Sequence, residues 1–322
     1  MSLPVLEEVP RKELKEQLRN NVKASPKRGI SNLGKPGWLK IRPPKQQYHE
    51  LRKKLGEEGL VTVCQESHCP NMSECWSSGT ATFMVMGDTC TRTCKFCNVK
   101  ARGNPEPLDE EEPEKLVKAV GEMKLDYVVI TSVDRDDLPD GGAGHFARCI
   151  KEIKNAYPGL LIEVLIPDFQ GDEQQLLTVL RAGPDVLAHN LETVRRLQAS
   201  VRDARANYDQ SLGVLKRAKE LRPGVKTKTS IMLGLGETKT EVHEAMDDLR
   251  RVGCDVVTFG QYLQPSSWHL AVERYWTPQE FKELETTARQ KGFIYCASGP
   301  FVRSSYRAGE LLMKGMLREV SD

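Results

Sequence analysis

Several things are missing from this chain. No apolar run in its 322 residues approaches the roughly 20 that a membrane-spanning helix needs. The first residues, Met1-Ser-Leu-Pro-Val-Leu-Glu-Glu, lack the basic and then apolar regions of a secretory signal. A cytoplasmic protein is expected, and a processed organellar one is compatible with the same start. Net charge is almost absent: 47 basic against 45 acidic residues leave +2, which argues against a bulk polyanion partner. Neither nucleic acid nor membrane is expected to bind. Aromatic residues are only 6%, yet 39% hydrophobic residues exclude wholesale disorder. Cysteine, by contrast, is plentiful. Nine cysteines, an odd number without an export signal, point to thiolate ligands or buried thiols and not to disulfides.

The small net charge hides an uneven distribution. Residues 11–54 hold fourteen Lys and Arg against three Glu. Their Pro- and Gly-rich part, Gly34-Lys-Pro-Gly-Trp-Leu-Lys-Ile-Arg-Pro-Pro-Lys45, suits no regular element. Residues 1–50 read as a basic arm, partly disordered, and residues 51–80 as a separate cysteine-bearing segment. From residue 81 short apolar runs at 81–87, 127–132, 160–166, 185–189, 228–235, 256–262 and 293–297 predict strands. Between them, 113–124, 142–156, 172–182, 209–221, 239–252 and 277–291 predict helices. Alternation of this kind means parallel βαβ units with strands buried on both faces. Seven strands over 81–300 fit a partial (β/α) barrel or a doubly wound sheet, followed by a C-terminal segment at 301–322. The acidic stretch at 106–114 is read as a helix start that favours the macrodipole, with no function assigned.

Six cysteines form two trios. Cys90-Thr-Arg-Thr-Cys94-Lys-Phe-Cys97 lies in a long loop after the first strand of that series. Three thiolates so close can hold one metal centre. A structural zinc would need a fourth ligand, and no His follows within forty residues. A [4Fe–4S] cube held by three cysteines keeps one iron open to a small molecule. Upstream, Cys64-Gln-Glu-Ser-His-Cys69-Pro-Asn-Met-Ser-Glu-Cys75 has the looser spacing C-x4-C-x5-C. It suits zinc with His68 as fourth ligand, or a second iron–sulfur cluster. Cys149, Cys254 and Cys296, far apart in sequence, read as buried inert thiols.

The C-x3-C-x2-C loop after a strand resembles the radical S-adenosylmethionine superfamily. The upstream trio, Met86-Gly-Asp-Thr-Cys90, Thr131-Ser-Val-Asp-Arg-Asp-Asp137 and Arg303-Ser-Ser-Tyr306 narrow this to the lipoyl synthase family, over about residues 34–316. The resemblance implies a partial barrel whose N- and C-terminal extensions complete an auxiliary cluster site. It implies two [4Fe–4S] clusters: one on Cys90, Cys94 and Cys97 that binds S-adenosylmethionine, and an auxiliary one on Cys64, Cys69, Cys75 and Ser305. Without it, Ser304-Ser305 would read as a turn pair. The implied activity is radical insertion of two sulfurs, drawn from the auxiliary cluster, at C6 and C8 of an octanoyl group on a carrier-domain lysine. Implied partners are octanoylated carriers (2-oxoacid dehydrogenase E2 subunits, glycine cleavage H protein), an electron donor such as flavodoxin or ferredoxin, and an iron–sulfur carrier. The protein itself is expected to be a monomer.

Candidate contacts to S-adenosylmethionine sit at strand ends: Thr131, Ser132, Asn190 and Glu192. The aspartates of the 131–137 stretch could instead cap a turn. Met232-Leu-Gly-Leu-Gly236-Glu237 permits close backbone approach, and a strand-to-helix turn explains it equally well. Gln261 could close the adenine side. Beyond the cluster ligands no side chain is expected to act as a catalytic group. Two competing readings are a radical sulfur-inserting enzyme working on a free acid or RNA, and a zinc-stabilised binding protein with a basic arm. The first lacks any nucleic-acid module to support it.

Overall fold

The computed structural model describes residues 33–39, 61–62, 69, 71, 75, 82–101, 103–123, 125 and 127–306. Most of the basic arm and of residues 51–80, with Cys64 and His68, lies outside these residues, as do residues 307–322. The strands are β1 (Val61–Thr62), β2 (Thr82–Val85), the short β3 (Thr89–Cys90) and β4 (Lys100–Ala101), β5 (Tyr127–Ser132) and β6 (Leu161–Leu165). They continue with β7 (Val186–Ala188), β8 (Lys226–Leu233), β9 (Val256–Gln261) and β10 (Tyr295–Gly299). The helices are α1 (Glu112–Met123), α2 (Ala143–Ala156), α3 (Glu173–Arg181), the one-turn α4 (Gln198–Val201), α5 (Tyr208–Leu221), α6 (Lys239–Arg251) and α7 (Pro278–Gln290). All seven apolar runs are strands, and each of the six predicted helices is present to within one residue at either end.

Local chemistry sets the helix starts. Thr238 with Glu241, and Thr277 with Glu280, form reciprocal capping boxes, and Pro278 opens α7 where its missing N–H costs nothing. Asp172 and Asn207 cap α3 and α5.

The main sheet runs β1-β2-β5-β6-β7-β8-β9-β10, with β1 antiparallel to β2 and every later neighbour parallel. A doubly wound sheet reverses its strand order at a switch point; this one follows the chain without reversal, as a barrel does. Among the described residues β10 does not pair with β1, so the barrel is partial. One face packs on the helices through two apolar clusters, one around β2, β5 and β6 and the other around β8, β9 and β10. The opposite face is not uniformly apolar as the runs had suggested. There Lys228 Nζ donates to both Glu163 oxygens at 2.8 Å, and Tyr127 Oη donates to Glu163 at 2.6 Å. All three are buried, so the barrel interior is plugged by a satisfied polar cluster. The short β3–β4 pair brings the two ends of the 90–97 loop together at the C-terminal mouth of β2.

Candidate functional site

The cysteine loop departs from β2 at Met86, a non-glycine residue with φ of 69°. A left-handed turn there is strained for a side chain and must be held. The Glu112 carboxylate accepts the Met86 N–H at 2.9 and 3.1 Å, and Arg135 Nη1 donates to the Met86 carbonyl at 3.2 Å. His145 Nε2 lies 2.6 Å from Glu112 Oε2. Gly142 beside it holds φ of 83°, which disfavours any side chain, and a Cβ there would also displace Met86 Sδ. The acidic stretch therefore does more than begin a helix. Cys149 also approaches the Glu112–His145 pair, within 4.8 Å.

Within the loop, Arg92 N points at Cys90 Sγ (3.4 Å), and Asp203 N at Cys94 Sγ (3.4 Å). Burial pushes the Cys90 thiol up to about 11 and those of Cys94 and Cys97 to about 12. Ionisation of Cys97 further opposes that of Cys94, and Cys90 that of Cys97. Such a trio stays neutral until a bound cation turns it into thiolates.

Arg92, between the first two cysteines, is buried and bonds Asp136 and Asp168 at 2.7 to 2.9 Å, with Asp134 at 3.3 Å. Asp134 is pushed up to about 6 by burial, against the pull of Arg92. Asp203 accepts the Thr93 N–H at 2.8 Å and the Arg205 Nε–H at 2.8 Å, while Arg205 Nη2 reaches the Thr91 carbonyl at 2.7 Å. On the far side His269 Nε2 lies 2.9 Å from the Cys97 carbonyl. A carbonyl only accepts, so that nitrogen carries the hydrogen. The loop is thus bolted to the segments that follow β5, β6, α4 and β9.

Unpartnered polar atoms sit at the end of β5 and after β7, at the end of the sheet from which the cysteine loop departs. Ser132 Oγ, Asn190 Oδ1 and Arg202 Nε are buried without a hydrogen-bond partner. Glu192 holds φ of 67°, its N–H and carbonyl tied to Ser230 and Met232 of β8. Burial raises its pKa, opposed by Arg202 and by a hydrogen bond with Asn190. The Arg202 charge is felt at Cys94, Asp134, Glu192 and His189. Thr131 Oγ1 is already spent on the Leu165 carbonyl at 2.9 Å.

The upstream cysteines meet the C-terminal turn. Cys75 is buried in the apolar cluster around β2, and Cys69, Cys90 and Tyr306 pack against that same cluster. Burial raises the Cys69 pKa and the Arg303 charge lowers it. Asn71 Nδ2 donates to the Phe301 carbonyl. The Val302 carbonyl occupies the place of any Cβ at Gly260, 2.0 Å from it, so β9 needs glycine for the chain to cross. Ser304 and Ser305 lie in the turn closed by Tyr306 N–H to Arg303 carbonyl, 3.0 Å, and neither hydroxyl bonds another described residue.

Residues 84–249 match the family model of the radical SAM superfamily. Lipoyl synthase of Anaeromyxobacter sp. (strain Fw109-5) is 56% identical over 88% of this chain and 96% of its own length. The Halobacterium salinarum enzyme of that name is 55% identical over 90% and 94%, and the mitochondrial one of Branchiostoma floridae 53% over 91% and 79%. The chain belongs to the lipoyl synthase family. Among solved structures, the FeFe-hydrogenase maturase HydG of Carboxydothermus hydrogenoformans shares the fold: TM-score 0.54, 14% identity, 86% of this chain and 66% of that one. SuiB of Streptococcus suis does likewise, with TM-score 0.51 and 12% identity over 90% and 61%.

For a member of this family, some expected residues come together and others are otherwise engaged. Cys90, Cys94 and Cys97 share one loop; Cys69 and Cys75 share one core with Tyr306; Asn190 hydrogen-bonds Glu192, and Ser132 ends β5 at the same end of the sheet. The Asp134, Asp136 and Asp137 carboxylates are spent on arginines and do not cap a turn. The glycines at 234 and 236 do form a strand-to-helix turn, whose Gly234 and Leu235 N–H groups are taken by Glu237 at 2.6 and 2.9 Å. Gln261 is consumed by the Leu233, Tyr262 and Arg274 carbonyls and by Trp276 N–H. Cys149, Cys254 and Cys296 are buried, as expected. Sequence reading missed Arg92, Asp168, Arg202, Asp203 and His269. An arginine between ligand cysteines was the one visible hint, since its partners lie 44 and 76 residues away. No described helix is long and apolar enough to cross a membrane.

Proposed function

We propose that the chain inserts sulfur at C6 and C8 of an octanoyl group carried on a lysine of a lipoyl carrier domain. The observation that carries this reading is a three-thiol loop at the same end of the sheet as buried polar atoms that no described residue satisfies: Ser132 Oγ, Asn190 Oδ1 and Arg202 Nε. Each orphan would cost about 1–3 kcal/mol unless a ligand met it. Neutral soft thiols at the same end as such atoms fit an iron–sulfur cube with a polar ligand on its open iron. When bound, that cluster with S-adenosylmethionine supplies a 5′-deoxyadenosyl radical, which can take hydrogen from an unactivated alkyl carbon.

C6 and C8 of an octanoyl chain have no acidic proton, so no side-chain base could begin the reaction. The chain's own residues bind and orient. Cys90, Cys94 and Cys97 hold the cube. Arg202, with no carboxylate partner among the described residues, complements the carboxylate of the methionine part. Glu192 suits its amino group, and Asn190 and Ser132 offer hydrogen bonds. Thr131 shapes the wall. The core shared by Cys69, Cys75 and the 303–306 turn supports an auxiliary [4Fe–4S] cluster on Cys64, Cys69, Cys75 and Ser305, consumed as the sulfur substrate. Arg303 offsets the negative charge of such a ligand set. A serine oxygen, hard among soft thiolates, is the ligand most easily released.

Partners of this reaction are octanoylated E2 subunits and glycine cleavage H protein, a flavodoxin- or ferredoxin-type reductant, and an iron–sulfur carrier that rebuilds the donor cluster. Anaerobically reconstituted protein should hold about eight iron and eight sulfide. Given S-adenosylmethionine, reductant and an octanoylated carrier domain, it should yield the lipoyl form. Four iron per chain with full lipoyl formation would sink the donor-cluster assignment.

A further inference from the structure

Arg202 is a buried cation whose hydrogen-bond partners among the described residues are neutral. Its Nη1 donates to Ser211 Oγ at 2.7 Å and Gln198 Oε1 at 3.3 Å, while Nε has no partner. Gln198 is itself fixed by donating to the Leu191 and Thr193 carbonyls at 2.9 and 2.7 Å. Ser211, wholly buried in the first turn of α5, also lies 3.0 Å from His189 Nε2. The other ring nitrogen, Nδ1, is 2.9 Å from the Ile166 carbonyl.

Proton positions in this chain follow by elimination. The Ile166 carbonyl can only accept, so His189 carries its hydrogen on Nδ1. The ring is neutral near pH 7, because burial, and then the Arg202 charge, push its pKa down to about 4. Nε2 is therefore an acceptor, and the Ser211 hydroxyl must donate to it. That leaves the Ser211 lone pairs facing Arg202. Donation runs one way, from Arg202 through Ser211 and His189 to the end of β6. His189 directly precedes Asn190, so one peptide links this chain to the pocket wall.

We propose that His189 and Ser211 form a positioning relay that aims the Arg202 guanidinium at the carboxylate of S-adenosylmethionine. It rests on the ligand reading given above. Neither residue touches the ligand; their work is to fix the acceptor that holds Arg202, so that its free N–H groups meet the pocket already oriented.

The test uses full-length, cluster-loaded protein of matched iron content, with equilibrium dialysis against S-adenosylmethionine and against 5′-methylthioadenosine, which lacks the amino-acid part. Ser211→Ala should weaken S-adenosylmethionine binding about tenfold, the scale of one misaligned charge-assisted bond, and leave 5′-methylthioadenosine unchanged. Unchanged affinity for both, or equal loss for both, overturns the relay. Arg202→Gln separates the two layers. If it keeps full S-adenosylmethionine affinity, the carboxylate reading itself fails. If it loses affinity while Ser211→Ala does not, only the relay fails. Independently of any ligand, ¹⁵N NMR of His189, assigned with His189→Ala, should show the neutral Nδ1–H tautomer at pH 7 and a shift of Nε2 alone in Ser211→Ala. An Nε2–H tautomer in the parent protein overturns the proposal.

Discussion

The two groups of cysteines draw on different parts of the chain: one contiguous loop, and a segment that meets the turn at 303–306. Around Cys90, Cys94 and Cys97, every turn of the loop is tied by a buried arginine, a carboxylate or a backbone bond from another part of the barrel. Around Cys69 and Cys75 the described ties include an Asn71 bond to the Phe301 carbonyl, the Val302 crossing at Gly260, and packing on a shared core. The first arrangement freezes a geometry before any cofactor arrives. The second draws on two distant stretches of chain, and the Ser305 hydroxyl there bonds no other described residue. A group kept through turnover gains from a rigid cradle, whereas one to be dismantled gains from a ligand that lets go. The contrast in scaffolding thus parallels the proposed contrast in fate.

The sharpest break of this comparison exchanges whole ligand sets. Replacing Cys90, Cys94 and Cys97 by Ala should abolish 5′-deoxyadenosine formation and leave about half the iron. Replacing Cys64, Cys69 and Cys75 should spare that cleavage and stop lipoyl formation; mass spectrometry of the carrier domain reads the difference. A lipoyl group still formed by the second variant would refute the division of labour.

Next in size is the cradle itself. Arg92→Met strands the buried Asp168, takes one partner from Asp136, and should cost about 3–5 kcal/mol; Arg92 helps hold both carboxyls below their usual range. Denaturant unfolding should show the loss, and iron should leave the first site while the second keeps its share. A variant with unchanged midpoint and iron would mean the loop is held by its other ties alone.

Ser305 gives a subtler effect. Ser305→Cys should strengthen the auxiliary cluster, preserve S-adenosylmethionine cleavage and stall after the first sulfur; Ser305→Ala should make that cluster labile. Mössbauer spectra and singly thiolated product distinguish them. Parent-like behaviour in both would move the fourth ligand elsewhere, with His68 the next candidate.

Smallest are the controls. Ser304→Ala should change stability by about 1 kcal/mol or less and leave product yield intact. Arg205→Ala, at the exposed rim of the cradle, should cost no more than about 1 kcal/mol, because solvent screens its pairs with Asp203 and Asp136. A loss from Arg205→Ala as large as that from Arg92→Met would show that burial does not rank these ties.

The fold was legible because each strand from β2 to β10 that carries the barrel is a short apolar run, and each helix has its period and its caps. The trio was legible because its cysteines are four and three residues apart. What stayed hidden shares one trait: its partners are distant in the chain. Asp168 reads as an ordinary loop acid until Arg92 lies 2.7 Å away. Glu163 and Lys228 look like flaws in their strands, yet 65 residues apart they neutralise each other. Gly260 looks like a weak point in a strand until the Val302 carbonyl is seen in its Cβ position. Spacing reports neighbours, and these are contacts that only folding creates.

The clamp on Met86 and the ties on the cysteine loop also fix an order of events. The loop leaves the ribosome before many of the described residues that hold it: Glu112 follows Met86 by 26 residues, and Asp203 follows Thr93 by 110. A nascent chain exposes Cys90, Cys94 and Cys97 long before their cradle exists. Loading of the first cluster is therefore a late step in maturation, gated by synthesis of at least the β7–α5 connection. Truncated chains ending before Asp203 should acquire iron poorly even though all six trio cysteines are present.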